Sequence, residues 1–135
     1  MKPARWDVFW WNLRVFSSRI WNSFWIALKA PFVYSNLRYF FFSRLDPLPG
    51  VLKLRNGIHF HIRPHSSDPA SITDVNIFRS YSQPAPGSIV VDVGANIGAF
   101  SLLAGQTARK VYAVEPIQSN YDALCRNIQL ITPTE

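Results

Sequence analysis

One stretch of this 135-residue chain constrains the fold more than any other, because it combines two strand patterns with a glycine turn. Residues 88–93 are β-branched and apolar, as in a strand that is buried on both faces. They lead into a turn at 94–98, an apolar run at 99–104 that favours a helix, and a second strand at 110–115. This order predicts an α/β fold that opens as part of a doubly wound parallel sheet.

The residues at the carboxyl ends of these strands suit a cofactor site. Gly94 and Gly98 lack a Cβ, so the backbone there can turn sharply and approach a ligand closely. A helix that begins near Gly98 points free N–H groups and its positive dipole end at that ligand. Asp92 can accept from loop N–H groups or attract a cationic group, and Glu115 can accept both hydroxyls of a ribose. The alternative without a ligand is that the turn at 94–98 is only a tight connection between strand and helix, and that Glu115 is a surface acid.

The turn departs from the dinucleotide fingerprint G-x-G-x-x-G, because Asn96 stands where the second glycine would be. With an acid two residues before Gly94, it resembles the S-adenosyl-L-methionine loop of class I methyltransferases. The stretches VVDVGANIGAFSLLA and VYAVEPIQSNYDAL together resemble the FkbM family of these enzymes, over roughly residues 51–130. The resemblance implies a Rossmann-like methyltransferase sheet in which the loop holds the methionine part of the cofactor and the Glu-Pro pair binds its ribose.

The resemblance implies a set of residues that bind S-adenosyl-L-methionine: Asp92, Gly94, Asn96, Gly98 and Glu115. It also implies O-methylation of a hydroxyl on a sugar or natural product, and therefore a small-molecule or saccharide acceptor. No catalytic residue is predicted, because the acceptor wall of such an enzyme comes from later strands. We therefore expect a truncated methyltransferase domain with exposed apolar faces and an unpaired sheet edge. The alternative is an inactive remnant that acts as a membrane-surface or partner-binding module.

A small β-hairpin is predicted before this unit. The alternating runs 51–54 and 58–63 flank the pair Asn56-Gly57, which is a strong hairpin signal. His59 and His61 share one strand face, but no acid or thiol stands at a supporting spacing, so no metal site is predicted.

Two further helices are predicted in this part of the chain. The first covers 72–81, with Asp68 or Ser71 as its cap, and the second covers 120–130, with Ser119 as its N-cap. The single cysteine excludes an internal disulfide.

Residues 1–50 differ in composition from residues 51–135, and we predict a helical extension followed by the methyltransferase-like part. The extension holds seven Lys or Arg residues, two Asp residues and all five tryptophans. Residues 4–29 predict an amphipathic helix that ends before Pro31. Its longest uncharged run, 20–28, is too short to span a membrane.

Several roles for this extension stay open. It can lie in a membrane surface, with peripheral contact through residues 1–44, or pack on the following domain or on a second subunit. A targeting segment is a third alternative. Nucleic-acid binding is not predicted, because the basic residues are scattered singly. We expect a cytoplasmic protein with this peripheral membrane contact as an option.

Overall fold

The computed structural model describes residues 21–45 and 50–130, which form a mixed α/β structure with two small sheets. Predictions for residues 4–20, for the turn at 46–49 and for the chain end at 131–135 lie outside this part. The elements in chain order are α1 (residues 21–33), α2 (Leu37–Leu45), β1 (Gly50–Lys53), β2 (His59–Ile62), α3 (Asp68–Thr73), β3 (Ile89–Val93), α4 (Ala99–Gly105), β4 (Lys110–Val114) and α5 (Gln118–Gln129).

The predicted hairpin is confirmed. β1 and β2 pair antiparallel, with the buried side chains of Leu52 and Phe60 opposite each other. At the turn, the N–H of Gly57 donates to the carbonyl of Leu54 at 3.2 Å, and the N–H of Leu54 donates to Ile58 at 2.8 Å. Gly57 has a φ of +88°, a left-handed conformation that favours glycine at the end of this turn.

The predicted order of strand, turn, helix and strand is also confirmed. β3 and β4 pair in parallel, and α4 connects them. The register places Val93 beside Val114, so both strands end at the same edge of the sheet. Whatever follows each strand is therefore brought together at this edge.

Only one face of this parallel sheet is covered within the described residues. Val90 and Asp92 are half-buried, whereas Val91 and Val93 are exposed, Val93 by 80%. The expectation of a strand buried on both faces therefore holds on one face only. No element within 21–45 or 50–130 lies over the other face, which we call the open sheet face: Ile89, Val91, Val93, Tyr112 and Val114.

Among the described residues, one hydrophobic core joins α1, α2 and the residues between them to the elements that follow. The rings of Tyr34 and Phe40 are fully buried and stack with centroids 4.0 Å apart. Their neighbours in the core come from α1, the hairpin, α3 and the turn before α4, and they include Ile26, Ala30, Leu52, Phe60, Ile72 and Ile97. Burying large aromatic rings in this way stabilises the fold by about 1.5–3 kcal/mol each.

The prediction that α1 ends before Pro31 is wrong, because the helix continues to residue 33. The N–H of Tyr34 donates to the carbonyl of Ala30 at 2.9 Å, and the N–H of Ser35 donates to Lys53 of the hairpin at 2.9 Å. Pro31 removes its own N–H donor and crowds the carbonyl of Ala27 one turn earlier, which weakens the helix but does not end it here. The buried Tyr34 and the bond to the hairpin hold the last turn in place.

The helix predicted over 72–81 is confirmed as a helix but with different bounds. α3 begins at Asp68, so this residue lies inside the helix and is not its cap. After Thr73 the helix continues as a π-helical turn over Asp74–Phe78. The Asp68 side chain does not cap the helix because it pairs with Arg63. Arg79 ends the π-helical turn with a left-handed φ of 52°.

Replacing Gly98 by alanine tests the packing of α4 against α5. A Cβ at Gly98 would lie 2.6 Å from Leu124 and 2.7 Å from Leu102, and the φ of +88° is strained for any other residue. We expect Gly98→Ala to lower the free energy of unfolding by about 2–4 kcal/mol, measured by urea denaturation. The control is Gly87→Ala, where the φ of +75° gives a similar backbone strain but the new Cβ meets nothing, so the loss should be smaller, about 1–2 kcal/mol. Equal losses in both variants would contradict the packing described.

Candidate cofactor-binding site

The turn at residues 94–98 leads from β3 into α4 with three left-handed residues. The φ angles are +78° at Gly94, +52° at Asn96 and +88° at Gly98. The N–H of Gly94 donates to the carbonyl of Val114 at 2.8 Å, so the turn is anchored on β4. Asparagine adopts left-handed backbone more readily than most residues, which explains how Asn96 replaces a glycine here.

Glu115 directly follows β4, and its carboxylate joins the turn to the start of α5. Oε2 accepts the N–H of Asn96 at 2.7 Å. Oε1 accepts the N–H of Ile117 at 2.9 Å and the Nδ2 of Asn120 at 3.4 Å. The bonds from Ile117 and Asn96 hold the pKa of Glu115 below the ordinary range of a glutamate. The carboxylate is therefore ionised at neutral pH.

The start of α5 differs from the prediction. The helix begins at Gln118, and Ser119, predicted to be the N-cap, lies in its first turn. The N-cap is Ile117, which makes no side-chain cap bond. The Glu115 carboxylate accepts a hydrogen bond from the N–H of Ile117, so the chain turns into the helix before it reaches Ser119.

Asp92 and Gly98 support the helix that begins at the turn. The Oγ of Ser101 donates to Oδ2 of Asp92 at 2.5 Å, which fastens α4 to β3. Gly98 is buried between Leu102 and Leu124, so α4 and α5 approach closely at that point. The structure thus brings Asn96 and Glu115 into direct contact, while Asp92 and Gly98 hold α4 beside them.

Asn127 is a residue of this site that the sequence analysis missed. It is fully buried on α5, where its Oδ1 accepts the N–H of His61 at 2.8 Å. Its Nδ2 donates to the carbonyl of Ile97 at 2.8 Å, so α5 supports the turn through this hydrogen bond. In the sequence, the indication of this role was that Asn127 follows Ala123 by four residues and Leu124 by three. This spacing places its amide on the apolar face of the helix.

Arg63 and Asp68 were missed as a pair. Nε and Nη2 of Arg63 donate to the two carboxylate oxygens of Asp68 at 3.0 and 2.6 Å. Nη1 donates to the carbonyl of Ser119 at 3.1 Å and to Oδ1 of Asn120 at 2.9 Å. Asp68 is only 1% exposed, so its charge needs this bidentate partner. The pair connects β2, α3 and α5, and through Asn120 it reaches Glu115.

Other polar groups do not add to this site. Within residues 21–45 and 50–130, no three His, Cys, Asp or Glu side chains could hold a metal ion together. A cavity of about 580 Å³ is lined by Asn76, Arg79 and Tyr81 among others, but by neither Glu115 nor the turn at 94–98. The candidate site therefore lies at the carboxyl ends of β3 and β4, where Gly94 is exposed.

No family model, curated protein or solved structure matches this chain. The resemblance to FkbM-family methyltransferases therefore depends on the glycine turn and the Glu-Pro pair in the sequence. It stays a prediction.

The lowered pKa of Glu115 predicts a pH-dependent effect on stability. Because the folded-state pKa lies below the unfolded one, the ionised carboxylate stabilises the fold above the ordinary pKa of glutamate. That stabilisation is lost as the pH falls through the lowered value. We expect Glu115→Gln to lower the melting temperature at neutral pH, and the difference from the wild type to shrink in acid.

The control for this measurement is Asp122→Asn, which changes an exposed carboxylate on the neighbouring helix α5. Its effect should stay within about 0.5 kcal/mol at every pH. A difference between Glu115→Gln and the wild type that is constant from neutral pH into acid would contradict the role given to the ionised carboxylate.

Proposed function

We propose that this chain binds S-adenosyl-L-methionine at the edge formed by the turn at 94–98 and Glu115, as the cofactor half of a methyltransferase site. The observation that carries the proposal is the hydrogen bond from the Asn96 N–H to Glu115. It joins a left-handed glycine turn to the acid that ends the neighbouring parallel strand. In this proposal, β3, α4, β4 and α5 are the opening of a Rossmann-like class I sheet.

The turn is accessible to a ligand. Gly94 is exposed, and apart from Gly94 and its two chain neighbours no residue has an atom within 4 Å of the position that a Cβ would occupy there. Ligands of open α/β sheets bind at the carboxyl ends of the strands, which is where this turn lies. These features support an approach of the cofactor to the backbone at Gly94.

Glu115 is suited to the ribose. An ionised carboxylate offers about four acceptor positions on its two oxygens. Oε2 of Glu115 accepts one bond among the described residues, from Asn96, so it keeps a position for a ribose hydroxyl. The bonds from the backbone also fix the carboxylate before any ligand arrives, which lowers the entropy lost on binding.

The same residues favour S-adenosyl-L-methionine over a dinucleotide. In dinucleotide sites the second glycine lets the backbone approach the pyrophosphate. Here Asn96 occupies that position, and its side chain donates to Ser71 on α3 at 3.3 Å. The carboxylates of Asp92 and Glu115 are on the same sheet edge, which suits a cationic sulfonium ligand better than two phosphates.

Bound S-adenosyl-L-methionine would supply an activated methyl group. The residues of this chain would hold its ribose at Glu115 and its methionine part at the turn. Transfer to a hydroxyl is an in-line displacement that depends on positioning and on a base at the acceptor oxygen. We assign no base within the described residues, and the sugar or natural-product acceptor follows from the family resemblance alone.

A partner-binding role is the second candidate, and the open sheet face supports it. Parallel strands are ordinarily covered on both faces, but Val91 and Val93 are exposed here, and so is Tyr112. A polypeptide that covers this face would bury apolar area, and a strand added beside β3 or β4 in the plane of the sheet would pair a free strand edge. In that role the chain need not bind any cofactor, so cofactor affinity separates the two candidates.

Isothermal titration calorimetry of the 135-residue chain tests the proposal. We expect S-adenosyl-L-methionine to bind, and Glu115→Gln to weaken binding about tenfold or more because it removes a charged acceptor. Asp74→Asn, an exposed carboxylate away from the sheet edge, should bind like the wild type. Circular dichroism at the titration temperature must show each variant folded. Unchanged affinity in folded Glu115→Gln, or equal affinity for a nicotinamide dinucleotide, would refute the proposed site.

A further inference from the structure

Helix α1 carries apolar side chains on two opposite faces. Ile26 and Ala30 are buried in the core on the inner face. The outer face carries four exposed side chains at helical spacing, which we call the aromatic stripe: Trp21, Phe24, Leu28 and Phe32. Phe32 is 78% exposed and Trp21 is 61% exposed. A helix that is apolar on both sides needs a cover on its outer face.

The aromatic stripe is a continuous surface without a charge. The rings of Trp21 and Phe24 stack with centroids 6.1 Å apart. Within residues 21–33 the one cation is Lys29, whose Nζ lies 5.4 Å from the Trp25 ring and 3.5 Å from the carbonyl of Ile77. The stripe therefore presents aromatic rings outwards, with a basic group at its margin.

We propose that the aromatic stripe docks this chain on the surface of a bilayer that contains anionic lipid. Tryptophan and phenylalanine suit the boundary between headgroups and acyl chains. Residues 1–50 carry seven basic and two acidic side chains, which is the charge complement of an anionic surface. This surface role goes beyond cofactor binding and does not depend on it.

The backbone of α1 is compatible with contact to lipid, whereas that of the open sheet face is not. A helix bonds its N–H and C=O groups internally, so its outer face needs no polar complement in an apolar medium. The open sheet face differs, because Val91 and Tyr112 lie beside strand edges with unpaired backbone groups. The two exposed apolar surfaces therefore suit different occupants, lipid for the aromatic stripe and polypeptide for the open sheet face.

The proposed contact lies in the plane of the membrane surface. From Trp21 to Phe32 the stripe is about 17 Å long at 1.5 Å per residue. None of the helices within 21–45 and 50–130 has the length and apolar character to cross a bilayer. The opposite face of α1 stays on the core, so docking requires no unfolding.

Flotation of the full chain with vesicles tests the proposal. Vesicles of phosphatidylcholine with phosphatidylserine should carry the protein upwards, and added salt should weaken the effect. The double variant Phe24→Gln and Phe32→Gln should reduce the partition coefficient about tenfold or more, because two rings no longer enter the lipid. The matched control is Val91→Thr with Val93→Thr, which changes two equally exposed apolar residues on the open sheet face and should float like the wild type.

A local probe distinguishes this stripe from the aromatic residues nearer the start of the chain. An environment-sensitive fluorophore is attached at Phe32→Cys, in a Cys125→Ala background that removes the native thiol. Its emission should shift to the blue on anionic vesicles, whereas the same fluorophore at Val93→Cys should not respond.

Three results would overturn the proposal. The wild type does not float with anionic vesicles, or the fluorophore at position 32 does not respond to them. In the third result, the wild type is a dimer and does not bind vesicles, and the Phe24→Gln and Phe32→Gln substitutions dissociate the dimer. That outcome would assign the stripe to a second copy of the chain.

Discussion

The left-handed backbone of the turn at 94–98 is the constraint on which the rest of the site depends. A residue with a Cβ resists this conformation by roughly 1–2 kcal/mol, so the turn needs glycine or asparagine and support from its surroundings. That support comes from two directions. The Glu115 carboxylate binds the Asn96 N–H from the end of β4, and the Asn127 amide binds the Ile97 carbonyl from α5. The turn therefore has its shape only when β4 and α5 are both in place.

The hairpin and α3 belong to the same support. Asn127 also binds the N–H of His61 on β2, and Arg63 connects Asp68 to the start of α5. Asn120 then extends this chain of bonds to Glu115. A carboxylate held in this way is ionised and oriented before a ligand arrives, which is how a binding site limits its entropic cost. The small hairpin thus has a structural role in positioning the acid.

Local patterns in the sequence predicted the elements but not the contacts between them. The glycine turn, the Asn56-Gly57 hairpin and the order of the strands could be predicted because each depends on residues close together in the chain. The amide of Asn127 and the backbone of His61 are 66 residues apart, and no periodicity indicates that they meet. The helix end at Pro31 was predicted wrongly for the same reason, since burial of Tyr34 against distant residues extends α1 past the proline.

Nuclear magnetic resonance of the backbone amides during a titration with S-adenosyl-L-methionine tests the central claim most directly. If the turn and Glu115 form the cofactor site, the resonances of Gly94, Asn96 and Gly98 shift together and saturate at one ligand concentration. The amide of Ile117, bonded to Glu115, shifts with them. Unmoved resonances in the turn, or shifts confined to the cavity at Arg79, would contradict the account.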